Sequence, residues 1–261
     1  MKSSYKILHS IFALAGFAVI ASCESNRSTE AEVDDNSTVS IESTDNTLTN
    51  QEKQNGWVLL FDGKSLNSWK VFNRQSEPDG WAIQDGTMAF TGKNNKKSSE
   101  KINLITKDQY ENFELALDYK ISEGGNSGIM FHVVEDPKYP EPYHTGPEMQ
   151  ILDDERHPDA KQNNNKRIAG SNYDLYTPSS KANPAGEWNS IRLRVQNGKV
   201  EHYMNGKKVV EYQLGSDQWK EDVKNSKFVD FPDYGTAQRG HIALQDHDDQ
   251  VWFRNIKIRR L

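Results

Sequence analysis

The sequence predicts an all-β domain built as a sandwich of two packed antiparallel sheets. Three observations carry that expectation. About eleven short segments, rich in β-branched and aromatic residues, are separated by turn signals. Three of the separators, Asp85-Gly86, Asn197-Gly198 and Asn205-Gly206, suit two-residue hairpins, because positive φ is cheap at Gly and tolerated at Asn or Asp. Helical periodicity is weak, with one short helix expected over residues 217–225 and Asp217 as its cap.

In chain order, the first strand is expected at residues 57–61. Residues 81–84 and 87–90 flank Asp85-Gly86 as the first hairpin. Residues 113–121 form the next strand. Gly124-Gly125-Asn126-Ser127-Gly128 is glycine-rich but precedes no helical pattern, so it reads as a turn or bulge leading into a strand at 128–134 rather than as a phosphate cradle. Residues 148–152 follow. Residues 188–196, 199–204 and 207–213 are joined by the two Asn-Gly turns. Residues 241–245 and 251–258 complete the set. Trp57, Phe61, Trp69 and Trp81 near the domain start are expected in the core, where aromatics contribute most burial.

Two of these strands are polar where a fully buried strand would be apolar. In GPEMQILDD, residues 146–154, Glu148 and Gln150 share one face while Met149 and Ile151 take the other. In GHIALQDHDD, residues 240–249, Gln245 and His247 share a face with Ala243, while Ile242 and Leu244 take the other. An apolar back and a front carrying a carboxylate, amides and an imidazole make a binding surface. No P-loop, dinucleotide fingerprint, HExxH or G-x-S-x-G elbow is present.

The chain has 261 residues, one cysteine and a net charge of −6, which gives no support to nucleic-acid binding. The lysines over residues 93–101 stand among Asn and Ser and read as an exposed loop. Residues 1–22 read as a signal peptide, with Lys2 and Lys6 ahead of an apolar run too short to span a bilayer. Ile20-Ala21-Ser22-Cys23 reads as a lipobox that would leave a lipid on Cys23. Residues 23–54 are polar and nearly free of aromatics, the composition of a disordered tether. The folded domain is expected over 55–261, anchored at the cell envelope as a periplasmic or outer-membrane lipoprotein.

An ordered set of motifs now stands out: Trp57-x-x-Leu-Phe-Asp-Gly-Lys-x-Leu, DYKI, GGNSGIMFHV, GPEMQILDD, YDLY, GEWN, VEHYMNG, GHIALQDH and VWFRNIKI. In this order they resemble the 3-keto-disaccharide hydrolase domain family, found in lipoproteins of Bacteroidetes-type bacteria. The resemblance covers essentially all of residues 56–261. It implies a concanavalin-like jelly roll whose concave face takes a saccharide. It also implies cleavage of 3-keto-glycosides, which a separate sugar 3-dehydrogenase would supply. The chain departs from many relatives in a Pro- and Tyr-rich stretch over residues 135–145.

A ketone at C3 acidifies the C2 hydrogen and places the glycosidic oxygen β to the carbonyl. Proton abstraction and β-elimination, with or without rehydration, therefore need one base and one electrophile. A retaining glycosidase instead needs two carboxylates about 5–5.5 Å apart. Here the residue two after Glu148 on the same face is Gln150, which is neither nucleophile, acid nor base. A non-catalytic, lectin-like module is the alternative.

With the resemblance, His247 is the first candidate base and Glu148 the second. Gln150 and Gln245 would orient sugar hydroxyls. A divalent metal ion is expected to suit an enediolate, with His132, Glu148 and His247 as its ligands. Lys120 is either an enolate stabiliser or an exposed side chain, and Arg254 either a structural ion pair or part of the site. Asp153 is either a turn cap or a substrate contact, and His157 borders the site.

Overall fold

Three Asx-Gly turns set the skeleton of the larger sheet. Asp85, Asn197 and Asn205 all adopt positive φ, as do the glycines that follow them, so each pair closes a tight hairpin. The computed structural model describes residues 45–92 and 100–261. The signal peptide, Cys23, tether residues 23–44 and lysine-run residues 93–99 lie outside the described residues.

The described strands are β1 (Val58–Leu59), β2 (Trp69–Val71), β3 (Trp81–Gln84), β4 (Thr87–Phe90), β5 (Leu104–Thr106), β6 (Phe113–Ile121) and β7 (Asn126–Val133). They continue with β8 (Glu148–Leu152), β9 (Asn189–Gln196), β10 (Lys199–Met204), β11 (Lys207–Gln213), β12 (His241–Leu244) and β13 (Val251–Arg260). All pairings are antiparallel. An eight-stranded sheet has the order β11-β10-β9-β6-β13-β4-β3, with β1 also on β13; a five-stranded sheet has the order β2-β5-β12-β7-β8.

Alternation explains the packing. Leu115, Leu117, Tyr119 and Ile121 of β6, and Ile191, Leu193 and Val195 of β9, meet Ile129, Phe131, Met149, Ile151, Ile242 and Leu244 from the smaller sheet in one buried core. Each such side chain contributes about 1.5–3 kcal/mol through burial. Leu193→Ala would cost about 2–5 kcal/mol, since Leu193 is fully buried. On β13 the pairing with β6 slips between Arg254 and Lys257, where Asn255 takes positive φ. That bulge resets the alternation, so Phe253, Ile256 and Ile258 all face the core.

Phe61, Trp69 and Trp81 are buried as expected, whereas Trp57 is half-buried beneath Arg259. The three-residue strands β2 and β5 escaped the sequence reading, being too short to show a period. The short helix appears as α2 (Asp217–Lys224), after α1 (Asn50–Gln54). Its cap is Ser216, whose hydroxyl accepts the Trp219 N–H, and not Asp217. The expected tether is structured over its described residues. Thr49 and Glu52 form a capping box on α1, Glu52 pairs with Lys257, and Asp45 pairs with Arg254 at 2.8 Å. Charged and amide groups anchor this segment where apolar burial does not.

Candidate active site

The outer face of the five-stranded sheet carries a cleft of about 310 Å³. Because Met149 and Ile151 face the core, Glu148 and Gln150 must project from the opposite face of β8. Asn126 joins them from the start of β7, and Gln245 and His247 from the segment after β12. The side chains of Glu148, Gln150, Gln245 and His247 thus line one cleft.

Polar atoms here are buried and unengaged. Glu148 Oε1, both amide atoms of Gln150, Gln245 Oε1 and Asn126 Oδ1 have no hydrogen-bond partner within the protein. A buried polar atom without a partner costs about 1–3 kcal/mol. Five of them around one cleft are matched by a ligand dense in hydroxyls.

Gly128 makes room for the carboxylate. It pairs with Gln150 across β7 and β8, and a Cβ there would lie 1.9 Å from Glu148 Oε1. The Glu148 carboxyl therefore lies flat over a strand that has no side chain at that point. Burial pushes its pKa up to about 7, against the pull of the Lys227 and His247 charges. His247 is exposed, with Nδ1 3.7 Å from Asp249 Oδ2 and Nε2 3.4 Å from Asn126 Nδ2. Asp249 raises its pKa above the ordinary imidazole value, more than partial burial lowers it.

Loops complete the cleft. Glu141 and Tyr143 come from the Pro- and Tyr-rich stretch 135–145, and Asp159 and Tyr173 from the long connection after β8. Asn103 Nδ2 donates to Glu141 Oε2 at 2.8 Å, and the Tyr173 hydroxyl donates to Asp159 Oδ2 at 2.8 Å. Lys227 reaches the cleft from a 3-10 turn, Lys227–Asp230. These loop residues carried no periodic signal in the sequence.

Four expected site residues lie elsewhere. Lys120 and Arg254 sit on the eight-stranded sheet. Lys120 packs over Trp188 and Trp252, while Arg254 stacks on Trp188 at 4.1 Å and pairs with Asp45 and Asp118. Alternation distinguishes the two faces of a strand but not the sheet to which the strand belongs. Asp153 is a turn cap: its carboxylate accepts the N–H groups of Gly124, Glu155 and Arg156. His132 takes positive φ at a β7 bulge opposite β12, which turns its ring against Phe113 and Phe131 in the core. Its Nε2 donates to the Glu111 carbonyl at 2.8 Å in the neutral form that burial favours. It lines a separate cavity of about 760 Å³ under α2, away from Glu148.

The expected metal set of His132, Glu148 and His247 is therefore not assembled. A different trio is: one ligand atom each from His157, His247 and Asp249 lies within 4.8 Å of the others. Two imidazoles and a carboxylate suit a divalent transition metal. His157 Nδ1 already accepts the Asp159 N–H at 3.2 Å, which places its proton on Nε2. Ligation through Nε2 would therefore require His157 to surrender that bond, a cost of about 1 kcal/mol, which metal binding readily exceeds.

An antiparallel sandwich with a buried, amide-lined polar cleft on its smaller sheet defines a jelly roll suited to saccharides. A family profile described as "3-keto-alpha-glucoside-1,2-lyase-like domain" matches residues 56–259, and the chain belongs to that family. The chain is 36% identical over 228 residues to a 3-keto-disaccharide hydrolase of Bacteroides thetaiotaomicron, covering 79% of each protein. It is also similar to two solved structures of candidate glycosyl hydrolases from Parabacteroides distasonis. One is 39% identical with a TM-score of 0.76, covering 83% of this chain and 99% of that one. The other is 27% identical with a TM-score of 0.58, covering 78% and 99%.

Proposed function

We propose that the protein cleaves the glycosidic bond of 3-keto-glycosides by abstracting the C2 proton and eliminating the aglycone. The observation that carries this reading is Glu148: a buried carboxyl with pKa about 7 and a free oxygen on a hydroxyl-ready cleft. Near neutrality such a group is partly ionised and basic enough to take a weakly acidic C–H proton. Its neighbour on the same face is Gln150, so β8 supplies no second carboxylate for a displacement mechanism.

Glu148 suits the base better than His247 does. The Asp249 carboxylate favours protonated His247, which suits proton donation to the departing glycosidic oxygen. Gln150, Gln245 and Asn126 hold the sugar hydroxyls. The immediate product is a 1,2-unsaturated 3-keto sugar, and water adding back across C1=C2 makes the net outcome hydrolysis. His157, His247 and Asp249 would hold a divalent cation, which would supply Lewis acidity in place of the His247 proton. The reaction belongs at the cell envelope, after a dehydrogenase has oxidised C3.

The test compares a 3-keto-aryl-glucoside with its unoxidised parent on the full-length protein, following aryl release and solvent deuterium at C2. The expected result is release from the keto compound alone, with the C2 hydrogen lost from the unsaturated product and replaced by deuterium in the hydrated one. Equal cleavage of the parent, or release into a product that keeps its original C2 hydrogen, would overturn the reading. Loss of turnover on chelation, restored by a divalent ion, is expected if the His157 trio is loaded. Full turnover after exhaustive chelation would remove the metal.

A further inference from the structure

We propose that Lys227 is the cationic donor that holds the C3 oxygen of the keto-sugar as the enediolate forms. This deepens the reaction proposed above and rests on it. Abstraction of the C2 proton moves negative charge from the base onto O3, so the site needs a donor aimed at that oxygen. Of the two lysines lining the cleft, Lys101 is paired with Asp248. Lys227 makes no salt bridge among the described residues.

Rings make the close contacts to Lys227, while the carboxylates of Glu148, Asp174 and Asp159 act on it from beyond salt-bridge distance. Its Nζ lies 4.1 Å from the Tyr173 ring centroid and 5.2 Å from that of Phe228. Aromatic faces steady an ammonium without using up its three N–H donors. The surroundings are themselves fixed. The Tyr173 hydroxyl is held by Asp159, and Phe228 is fully buried against Tyr234 with ring centroids 3.8 Å apart. The Lys227 backbone N–H points at Asp174 Oδ2 at 3.5 Å, and Asp174 is locked by Arg167 at 2.6 Å. The cation is thus positioned from its own turn and offers its donors to the cleft.

The charge balance fits. Before reaction, Lys227 faces the Glu148 carboxylate across the cleft, and each favours the other's charged form. The C2–H bond then breaks, the proton passes to Glu148, C2=C3 forms and O3 gains the charge. Glu148 becomes neutral as O3 becomes an anion, so the attraction of Lys227 passes from one to the other. The C3=O bond then re-forms, C1=C2 forms, and the C1–O bond breaks with its electron pair on the aglycone oxygen, which takes a proton.

A bystander role is also testable. If Lys227 only lowers the Glu148 pKa, its removal costs activity at neutral pH and the loss vanishes once pH is high enough to ionise Glu148. The groups acting on Glu148 are Lys227, His247 and Asp159. If Lys227 is the donor, the loss persists on the high-pH plateau.

The experiment measures C2–H exchange and aryl release by full-length wild type, Lys227→Met, Lys227→Gln and Lys227→Arg. Each is measured on its high-pH plateau, with circular dichroism and melting as checks on folding. The expected result is a loss of about 10²–10³ in kcat for both reactions in the Met and Gln variants. KM should stay within a few-fold, and Arg should recover part of the loss. Exchange in a folded Met or Gln variant within threefold of wild type would overturn the assignment. So would a loss confined to aryl release, because the donor acts at O3 before C1–O cleavage. Wild-type product that keeps its original C2 hydrogen would instead remove the reaction itself, and this proposal with it.

Discussion

Glu148 lowers the stability of the folded protein at neutral and alkaline pH, and Glu148→Gln should relieve that cost. The residue is 5% exposed, one carboxyl oxygen is buried and unpartnered, and burial pushes the pKa up to about 7 from an ordinary value of 4.5. The folded protein therefore keeps a proton between pH 4.5 and 7 that the unfolded chain has released. With fewer protons on the unfolded chain, stability falls as pH rises through this window. At about 1.4 kcal/mol per tenfold shift, the full difference comes to about 3 kcal/mol above pH 7. Glutamine keeps the shape and cannot ionise. The assay is urea unfolding of wild type and Glu148→Gln from pH 4 to 8.5. The variant should match wild type at the acid end and gain up to about 3 kcal/mol at the alkaline end while losing turnover. A constant difference across the range would refute the argument, because it would mean that the carboxyl ionises in the fold as easily as in water.

Further predictions concern the same face and its opposite. kcat/KM should fall as pH drops through about 7, tracking protonation of Glu148; a profile flat from pH 5 to 8 would exclude Glu148 as the base. Gly128→Ala drives a methyl into the Glu148 carboxyl, so turnover should fall by about 10²-fold for a misplacement of about 1 Å, seen in steady-state kinetics. Unchanged kinetics would show that the carboxyl is free to move aside. Arg254→Met, on the other sheet, should leave kcat within twofold and cost about 1 kcal/mol or less in unfolding free energy from the Asp45 and Asp118 pairs. A large kinetic effect would put Arg254 back in the site.

What the sequence reveals is whatever depends on local periodicity. Asx-Gly pairs located the hairpins, and alternation in residues 148–152 separated the residues that fill the core from those that face the cleft. It failed where a single backbone angle changes parity. His132 follows Met130 by two, yet its positive φ and the bulge beside it send the ring inward. It also gave no information on which sheet receives a strand, which is why Lys120 and Arg254 were grouped with residues on the far side of the sandwich. Lys227, Tyr173 and Asp159 sit on turns placed by long-range contacts, such as Asp174 to the Lys227 backbone. No spacing rule brings residues 53 positions apart together.

The position of β13 bears on how the protein is made. It lies between β6 and β4, in the interior of the eight-stranded sheet, yet it follows both of them in the chain by more than a hundred residues. During synthesis these neighbours must wait with bare hydrogen-bonding edges until β13 is made. The nascent chain is therefore a natural client for holding factors, and removal of β13 should yield aggregates rather than a smaller working enzyme.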